Sequence, residues 1–129
     1  MHTGQENTVN DQKFIIKKKE NCIVELMDWG ALTWFASENI GNSNNATLGY
    51  CIIKAGHSND KHLHTNCEEI LNVLEGSIVH TIGDSDIAMQ KGDTITIPPN
   101  VRHCAKNIGK SDAVLLVYFS SPNRLTITE

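Results

Sequence analysis

Residues 56–76 read GHSNDKHLHTNCEEILNVLEG, and this stretch decides the fold. His62 and His64 flank a single leucine, and residues two apart on an extended segment project from the same face. Two imidazoles placed in this way can point at one metal ion. Glu69 follows after a short turn and opens a segment in which apolar residues alternate. The stretch therefore predicts a hairpin that carries three candidate metal ligands.

A second stretch, residues 92–107, reads GDTITIPPNVRHCAKN and places His103 just beyond a rigid proline corner. Ligands this far apart in sequence can meet only in a fold that brings two hairpins together, and a small β-barrel does so. Three neutral imidazoles and one carboxylate suit iron(II), manganese, nickel, cobalt or zinc, with coordination positions left for water or substrate.

The two stretches follow the patterns G-x5-H-x-H-x4-E-x6-G and G-x5-P-x-N-x2-H-x3-N. Their fixed positions are Gly56, His62, His64, Glu69 and Gly76, then Gly92, Pro98, Asn100, His103 and Asn107. In this order and separation they resemble the two signature motifs of the cupin superfamily, and the chain is similar to small single-domain cupins with an RmlC-like jelly roll. The resemblance implies an all-β double-stranded β-helix, a jelly-roll barrel. It also implies one divalent transition metal held by His62, His64, Glu69 and His103.

Two positions within the motifs need a physical argument. Glu68 competes with Glu69 as the ligand, because the family pattern allows either gap. Glu69 is favoured since it places Leu71 and Val73 on its own face of the strand. Asn100 stands where the family usually has glycine. Asparagine tolerates positive φ better than other non-glycine residues, so we expect a left-handed backbone there.

The rest of the chain reads as short strands separated by turn signals, without a convincing helical period. The segments rich in Ile, Val, Leu, Thr and aromatic residues are Phe14–Lys17, Cys22–Trp29, Thr33–Ala36, Ala46–Lys54, Glu69–Leu74, Ser77–Ile82, Asp86–Met89, Thr94–Ile97 and Ala113–Ser120. Many short strands spaced by turns are typical of an all-β sandwich or barrel.

Length and composition indicate one globular domain of 129 residues, with 40% hydrophobic and 20% charged residues. We expect a flexible N-terminal tail over residues 1–12 and a single cupin β-barrel domain over residues 13–129.

A net charge of −4 argues against a nucleic-acid partner. The longest apolar run, Ala113 to Phe119, is too short to span a membrane as a helix. The first residues lack the apolar region of a signal peptide, so a cytoplasmic location is expected.

Several other residue types carry weaker expectations. The four scattered cysteines lack zinc-site spacing and are expected to act as small buried hydrophobes, with Cys104 facing away from the metal: Cys22, Cys51, Cys67 and Cys104. His57 and His80 are expected to face solvent or to have hydrogen-bond partners. Core packing is expected for Trp29, Trp34 and Phe35.

The ligand set favours a metal-dependent enzyme, an oxidoreductase or a lyase, over a protein that only binds. Two open coordination positions favour a substrate that is a small oxygenated and anionic molecule and chelates the metal, and the resemblance includes dioxygenases and decarboxylases. The alternatives are a metal-dependent isomerase and a non-catalytic cupin that binds or senses a sugar or acid. Iron or manganese is the expected metal, with nickel, cobalt or zinc as alternatives. No acid–base residue stands out. A homodimer is expected, mainly because the cupins of this size that the chain resembles are commonly dimers, and because pairing or exchange of the segment Phe14–Ile16 would cover exposed edge strands.

Overall fold

The computed structural model describes residues 5–129. Their regular secondary structure is almost entirely β-strand. The strands are β1 (Gln5–Val9), β2 (Gln12–Ile16), β3 (Ile23–Met27), β4 (Gly30–Ala36), β5 (Thr47–Ile53), β6 (His62–His64), β7 (Glu69–Glu75), β8 (Ser77–Ile82), β9 (Ser85–Gln90), β10 (Thr94–Ile97), β11 (His103–Asn107), β12 (Ala113–Phe119) and β13 (Thr126–Thr128). One 3-10 turn, Lys19–Asn21, is the sole helical element within this part of the chain. The same residues contain no helix long and apolar enough to cross a membrane.

Two antiparallel sheets face each other and enclose the core. The larger sheet has the order β10-β7-β12-β5-β4-β3, and the smaller has the order β13-β6-β11-β8-β9. Strands β5, β7 and β12 alternate buried and half-buried residues, as the two-residue period of a sheet requires. Their inward side chains, such as Ile53, Val73 and Leu115, are completely buried. The expected all-β jelly roll is confirmed.

Most of the predicted strands are present, and β8 and β10 have the predicted ends. The strand assignments missed β1, β11 and β13 and treated β6 only as an extended segment. β6 and β13 are three residues long, and β11 (HCAKN) has polar residues at both ends and no apolar alternation, so neither length nor apolar pattern marks them.

An N-terminal hairpin occupies part of the expected tail. Strands β1 and β2 pair with Gln5 opposite Ile16 and form a sheet of their own. Asn10 and Asp11 make the turn, and both have positive φ, the geometry of a tight two-residue hairpin. Strand β1 has mainly polar residues and no alternation, so no sequence pattern predicted it. Residues 1–4 lie outside the described residues, and the flexibility of residues 1–12 stays a prediction.

Asn107 is buried, and a buried polar side chain needs hydrogen-bond partners. It finds them in the backbone where two strands end. Its Nδ2 donates to the carbonyls of Ile53 and Ser111 at 2.8 Å each, and its Oδ1 accepts from the Gly109 amide at 2.9 Å. The residue has no exposed surface. It joins the end of β11 to the end of β5.

Asn100 forms the corner before β11. Its φ is +67°, so the expected left-handed backbone is confirmed. Its amide donates to the carbonyl of His64 at 2.8 Å. The corner therefore ties the second motif directly to the first.

We predict that Asn100→Val lowers the free energy of unfolding by about 1–2 kcal/mol, because a β-branched residue is strained at positive φ. Asn100→Gly is the matched control and should change the free energy of unfolding by less than about 1 kcal/mol. Urea denaturation measures both variants. Equal stability of the valine and glycine variants would contradict the assigned backbone geometry.

Candidate metal centre

The four candidate ligands come from three strands in two sheets. His62 and His64 lie on β6, and His103 begins the neighbouring strand β11, paired with His62. Glu69 begins β7 in the opposite sheet. One donor atom from each of the four side chains lies within 4.8 Å of the others, between the sheets. Glu69 is 5% exposed and joins this cluster, whereas Glu68 does not.

Each histidine ring is oriented by a backbone carbonyl. The Nδ1 atoms lie 2.6 Å from the Asp60 oxygen for His62, 2.9 Å from the Val101 oxygen for His103 and 3.1 Å from the Leu125 oxygen for His64. A carbonyl oxygen can only accept, so these contacts favour the tautomer in which Nδ1 carries the hydrogen. The Nε2 lone pair of each ring is then free, which is the usual arrangement of a metal-binding histidine.

Two of these Nε2 lone pairs face another hydrogen-bond acceptor, the carboxylate of Glu69. His103 Nε2 and His64 Nε2 lie 3.0 Å and 3.2 Å from the same carboxylate oxygen, Oε1 of Glu69. In the tautomer set by the carbonyls, both nitrogens and the carboxylate are acceptors and repel one another. A cation at the centre, either a proton or a metal ion, removes this repulsion. Three imidazoles and one carboxylate suit a divalent transition metal.

Without a metal, protonation is shared within this cluster. Burial raises the pKa of Glu69, but hydrogen bonds with His103 and His64 outweigh it and hold the pKa below its ordinary range. Burial lowers the pKa of His103, but the hydrogen bond with Glu69 outweighs it and the net shift is upward. Burial, with the charge of His103, lowers the pKa of His62 to about 4. The cluster is therefore arranged to hold a positive charge next to the Glu69 carboxylate.

A cavity of about 140 Å³ opens onto the four side chains. Much of its lining is apolar, including Trp29, Trp34, Leu71 and Phe119. Trp34 belongs to the core and Trp29 packs against it, as expected. The expectation was wrong for Phe35, which points to the other face of β4 and packs edge-on against Tyr50, with ring centroids 4.6 Å apart.

Five polar residues in the cavity lining were missed by the sequence reasoning. These residues are Asn59, Asp60, Arg124, Thr126 and Thr128. Arg124 lies between β12 and β13, where no apolar period or motif marks it. Its place at the cavity follows only from the pairing of β13 with β6, a contact across more than 60 residues.

His80 contradicts the expectation of a solvent-facing or hydrogen-bonded residue. It is 1% exposed, and its Nδ1 has no hydrogen-bond partner among the described residues. The alternation of β8 turns Ile78 and His80 inward, so that His80 lies 5.8 Å from the His103 ring, between centroids. Burial lowers the pKa of His80 to about 4. His57 is exposed, as expected.

The cysteines are all free, and two of them are core residues. Burial raises the pKa of Cys51 to about 12 and also raises the pKa of Cys67. Both thiols are therefore protonated and unreactive at neutral pH. Cys104 lies on the opposite face of β11 from His103, as expected.

We predict that His80 makes the metal-free protein less stable in acid. Its folded pKa is about 4 against an ordinary 6.5, so between these values the unfolded chain binds a proton that the folded chain does not. Stability present at neutral pH is therefore lost as pH falls from about 6.5 towards 4. As the pH falls from 7 to 4.5, the free energy of unfolding of His80→Gln should rise relative to that of wild type by more than about 1 kcal/mol. Urea denaturation at both pH values measures this difference, and a pH-independent difference would contradict the assignment.

Comparison with known proteins places these motifs in a family. The family model of the cupin domain matches residues 49–119. An uncharacterised protein of Methanocaldococcus jannaschii is 37% identical over 71 residues, which cover 55% of this chain and 57% of that protein. A germin-like protein of Morus alba is 37% identical over 67 residues, covering 48% of this chain and 32% of that protein. The chain thus spans about a third to just over half of the length of these curated relatives.

Solved structures with the same fold include two enzymes of oxalate chemistry. Oxalate decarboxylase of Bacillus subtilis, studied for its Mn(II) centres, gives a TM-score of 0.73 at 21% identity and covers 79% of this chain and 28% of that one. Oxalate oxidase in complex with the substrate analogue glycolate gives a TM-score of 0.68 at 23% identity and covers 75% and 53%. At these identities the likeness shows the fold alone. Motifs, fold and family match together show that the chain belongs to the cupin family.

Proposed function

We propose that His62, His64, Glu69 and His103 bind one divalent transition metal, and that the protein is a metal-dependent enzyme acting on a small anionic molecule. One observation carries this proposal. One ring nitrogen from each of three histidines and one carboxylate oxygen lie within 4.8 Å of one another, and backbone carbonyls orient all three rings for coordination.

Manganese or iron is the metal that we propose. A donor set of three nitrogens and one oxygen, in an octahedral preference, leaves two positions for substrate or water. The Mn(II) centres of the Bacillus subtilis oxalate decarboxylase support manganese by analogy of fold. When bound, such a metal polarises a substrate oxygen and supplies a site for electron exchange.

The proposed substrate class is a small acid with two oxygens at chelating distance, such as a 2-oxo or 2-hydroxy acid. Two adjacent open positions favour such a ligand, and the cavity of about 140 Å³ restricts its size. The oxalate and glycolate chemistry of the solved neighbours supports the same class. Chelation would place the bond between the two oxygen-bearing carbons beside the metal. This geometry suits oxidation or decarboxylation, the reactions of an oxidoreductase or a lyase.

The chain's own residues would bind and shield this substrate. Trp34, Leu71 and Phe119 provide an apolar lining that limits water around the centre. The metal-bound histidines must stay unprotonated at Nε2, and the carbonyls at Nδ1 favour that form.

The second candidate is a cupin that binds or senses the same acid without turnover. One observation favours it: besides the candidate ligands and the Asp60 carboxylate, the described lining has no histidine or thiol that titrates near neutral pH. The Cys51 thiol is locked in its protonated form, and His80 is neutral at physiological pH. Turnover of oxalate by the manganese-loaded protein, measured as loss of oxalate, separates the enzyme from the binding protein.

We predict about one manganese or iron atom per chain in protein prepared without added metal or a histidine tag. Removal by a chelator should lower the melting temperature, because the ion stabilises only the folded state. His103→Ala should lose the metal, whereas the matched control His57→Ala, an exposed histidine, should keep it. Elemental analysis measures both variants. Full metal content in His103→Ala would contradict the proposed ligand set.

We predict that glycolate binds the manganese-loaded wild type and does not bind the metal-free protein. Direct coordination should alter the electron paramagnetic resonance spectrum of the manganese as glycolate is added. His62→Ala should reduce this spectral change together with metal affinity, whereas His57→Ala should preserve both. An unchanged spectrum at saturating glycolate would overturn chelation by substrate.

We also propose that two copies of the chain form a homodimer. Strand β3 is the edge of the larger sheet, and its Leu26 and Val24 are 83% and 56% exposed. Phe14 and Ile16 of β2 are also more than 40% exposed. An uncovered apolar edge favours pairing with a second copy.

We predict a mass of two chains in multi-angle light scattering at micromolar concentration. Leu26→Lys should shift the protein towards the monomer, because a charged edge residue opposes pairing. Ile87→Lys is the matched control on β9, the edge of the other sheet, and should remain dimeric. A wild-type mass of one chain would contradict the dimer.

A further inference from the structure

Arg124 reaches from the segment between β12 and β13 to the wall of the cavity. Its guanidinium carbon lies 4.5 Å from the centroid of the Trp34 ring and 5.1 Å from that of the Phe119 ring. The side chain lines the same cavity as the four candidate ligands. Cation–π contacts with two aromatic rings hold the guanidinium at one place on the cavity wall.

The guanidinium makes few polar contacts with the described part of the chain. Its Nη1 donates to Thr126 Oγ1 at 2.7 Å, and no carboxylate among residues 5–129 forms an ion pair with it. Glu25, whose charge acts on Arg124, accepts a hydrogen bond at 2.6 Å from the indole of Trp34 instead. Four of the five N–H groups of this half-buried cation thus have no acceptor in the described part of the chain.

Arg124 and the candidate metal centre share one wall. The Phe119 ring lies 4.9 Å from the His64 ring, between centroids, and also lies beneath Arg124. The next two residues hold His64, since the Leu125 carbonyl and Thr126 Oγ1 lie 3.1 Å and 3.2 Å from its Nδ1. The segment that carries Arg124 is therefore anchored to a candidate ligand.

We propose that Arg124 binds a second carboxylate of the ligand, and that the ligand is a short dicarboxylic acid whose other end coordinates the metal. This inference rests on the proposed function. A guanidinium with N–H groups that lack acceptors can make a bidentate contact with a carboxylate. Arginine keeps its charge at every physiological pH, so the group that would bind the carboxylate is always charged.

The two cationic groups at the cavity, the metal and Arg124, suit the two ends of a dianion, while Asp60 lies in the lining and the charge of Glu25 acts on Arg124. A divalent metal with Glu69 as its one charged ligand retains one positive charge, and Arg124 adds a second. A monocarboxylate leaves the guanidinium without an anion, at a cost in desolvation that grows as the ligand excludes water. A dicarboxylate satisfies the metal and the guanidinium together, so Arg124 selects between acids of similar size.

The test compares two pairs of acids that differ by one carboxylate: tartronate with glycolate, and malate with lactate. Calorimetry at fixed ionic strength measures the dissociation constant of each acid for the manganese-loaded protein. At least one dicarboxylate should bind about tenfold more tightly than its partner, as expected for a charged hydrogen-bonded pair. Arg124→Gln should abolish this preference while changing monocarboxylate binding by less than about threefold.

Lys110→Gln removes the same charge at an exposed site and should keep the preference. Arg124→Lys keeps the charge without the bidentate edge and should lose most of the preference, which gives a second variant if Arg124→Gln does not fold. The proposal is overturned if wild type binds each pair equally, or if Arg124→Gln keeps the preference. Binding of none of the four acids would overturn the proposed function as well.

Discussion

The centre of this molecule depends on one electrostatic constraint. One ring nitrogen from each of three histidines and a carboxylate oxygen are held within 4.8 Å of one another in a largely buried space. Backbone carbonyls at every Nδ1 favour the tautomer in which all four groups are acceptors. Four acceptors at this distance repel, and burial strengthens that repulsion. A positive charge at their midpoint turns the same arrangement into attraction, so the site is built around a cation.

The fold meets this constraint through contacts that are remote in sequence. The corner at Asn100 donates its amide to the His64 carbonyl and so sets the distance between the two motifs. The C-terminal strand β13 pairs with β6, and the segment before it supplies the Leu125 carbonyl to the His64 ring. Because these contacts orient a ligand and close the barrel at once, the stability of the smaller sheet and the geometry of the centre depend on each other.

Sequence alone predicted the parts of this structure that a local period or spacing encodes. The histidines two apart on β6 and the inward face of β7 follow from neighbouring residues, and the positive φ of Asn100 follows from the glycine that the cupin pattern usually has at that position. The inward turn of His80 follows from the alternation of β8, but a lone histidine gives no sign of which face is inward. Arg124 was beyond prediction, because its position depends on a chain segment without a period and on a strand of three residues.

The most direct test of the central constraint is nitrogen-15 NMR of the histidine rings in protein loaded with diamagnetic zinc. The chain has six histidines, so the rings can be assigned one by one. The structure predicts that His62, His64 and His103 carry the proton on Nδ1 and coordinate zinc through Nε2, with shifts that differ from those of the metal-free protein. Zinc bound with any of these three rings unshifted, or protonated at Nε2, would contradict the account.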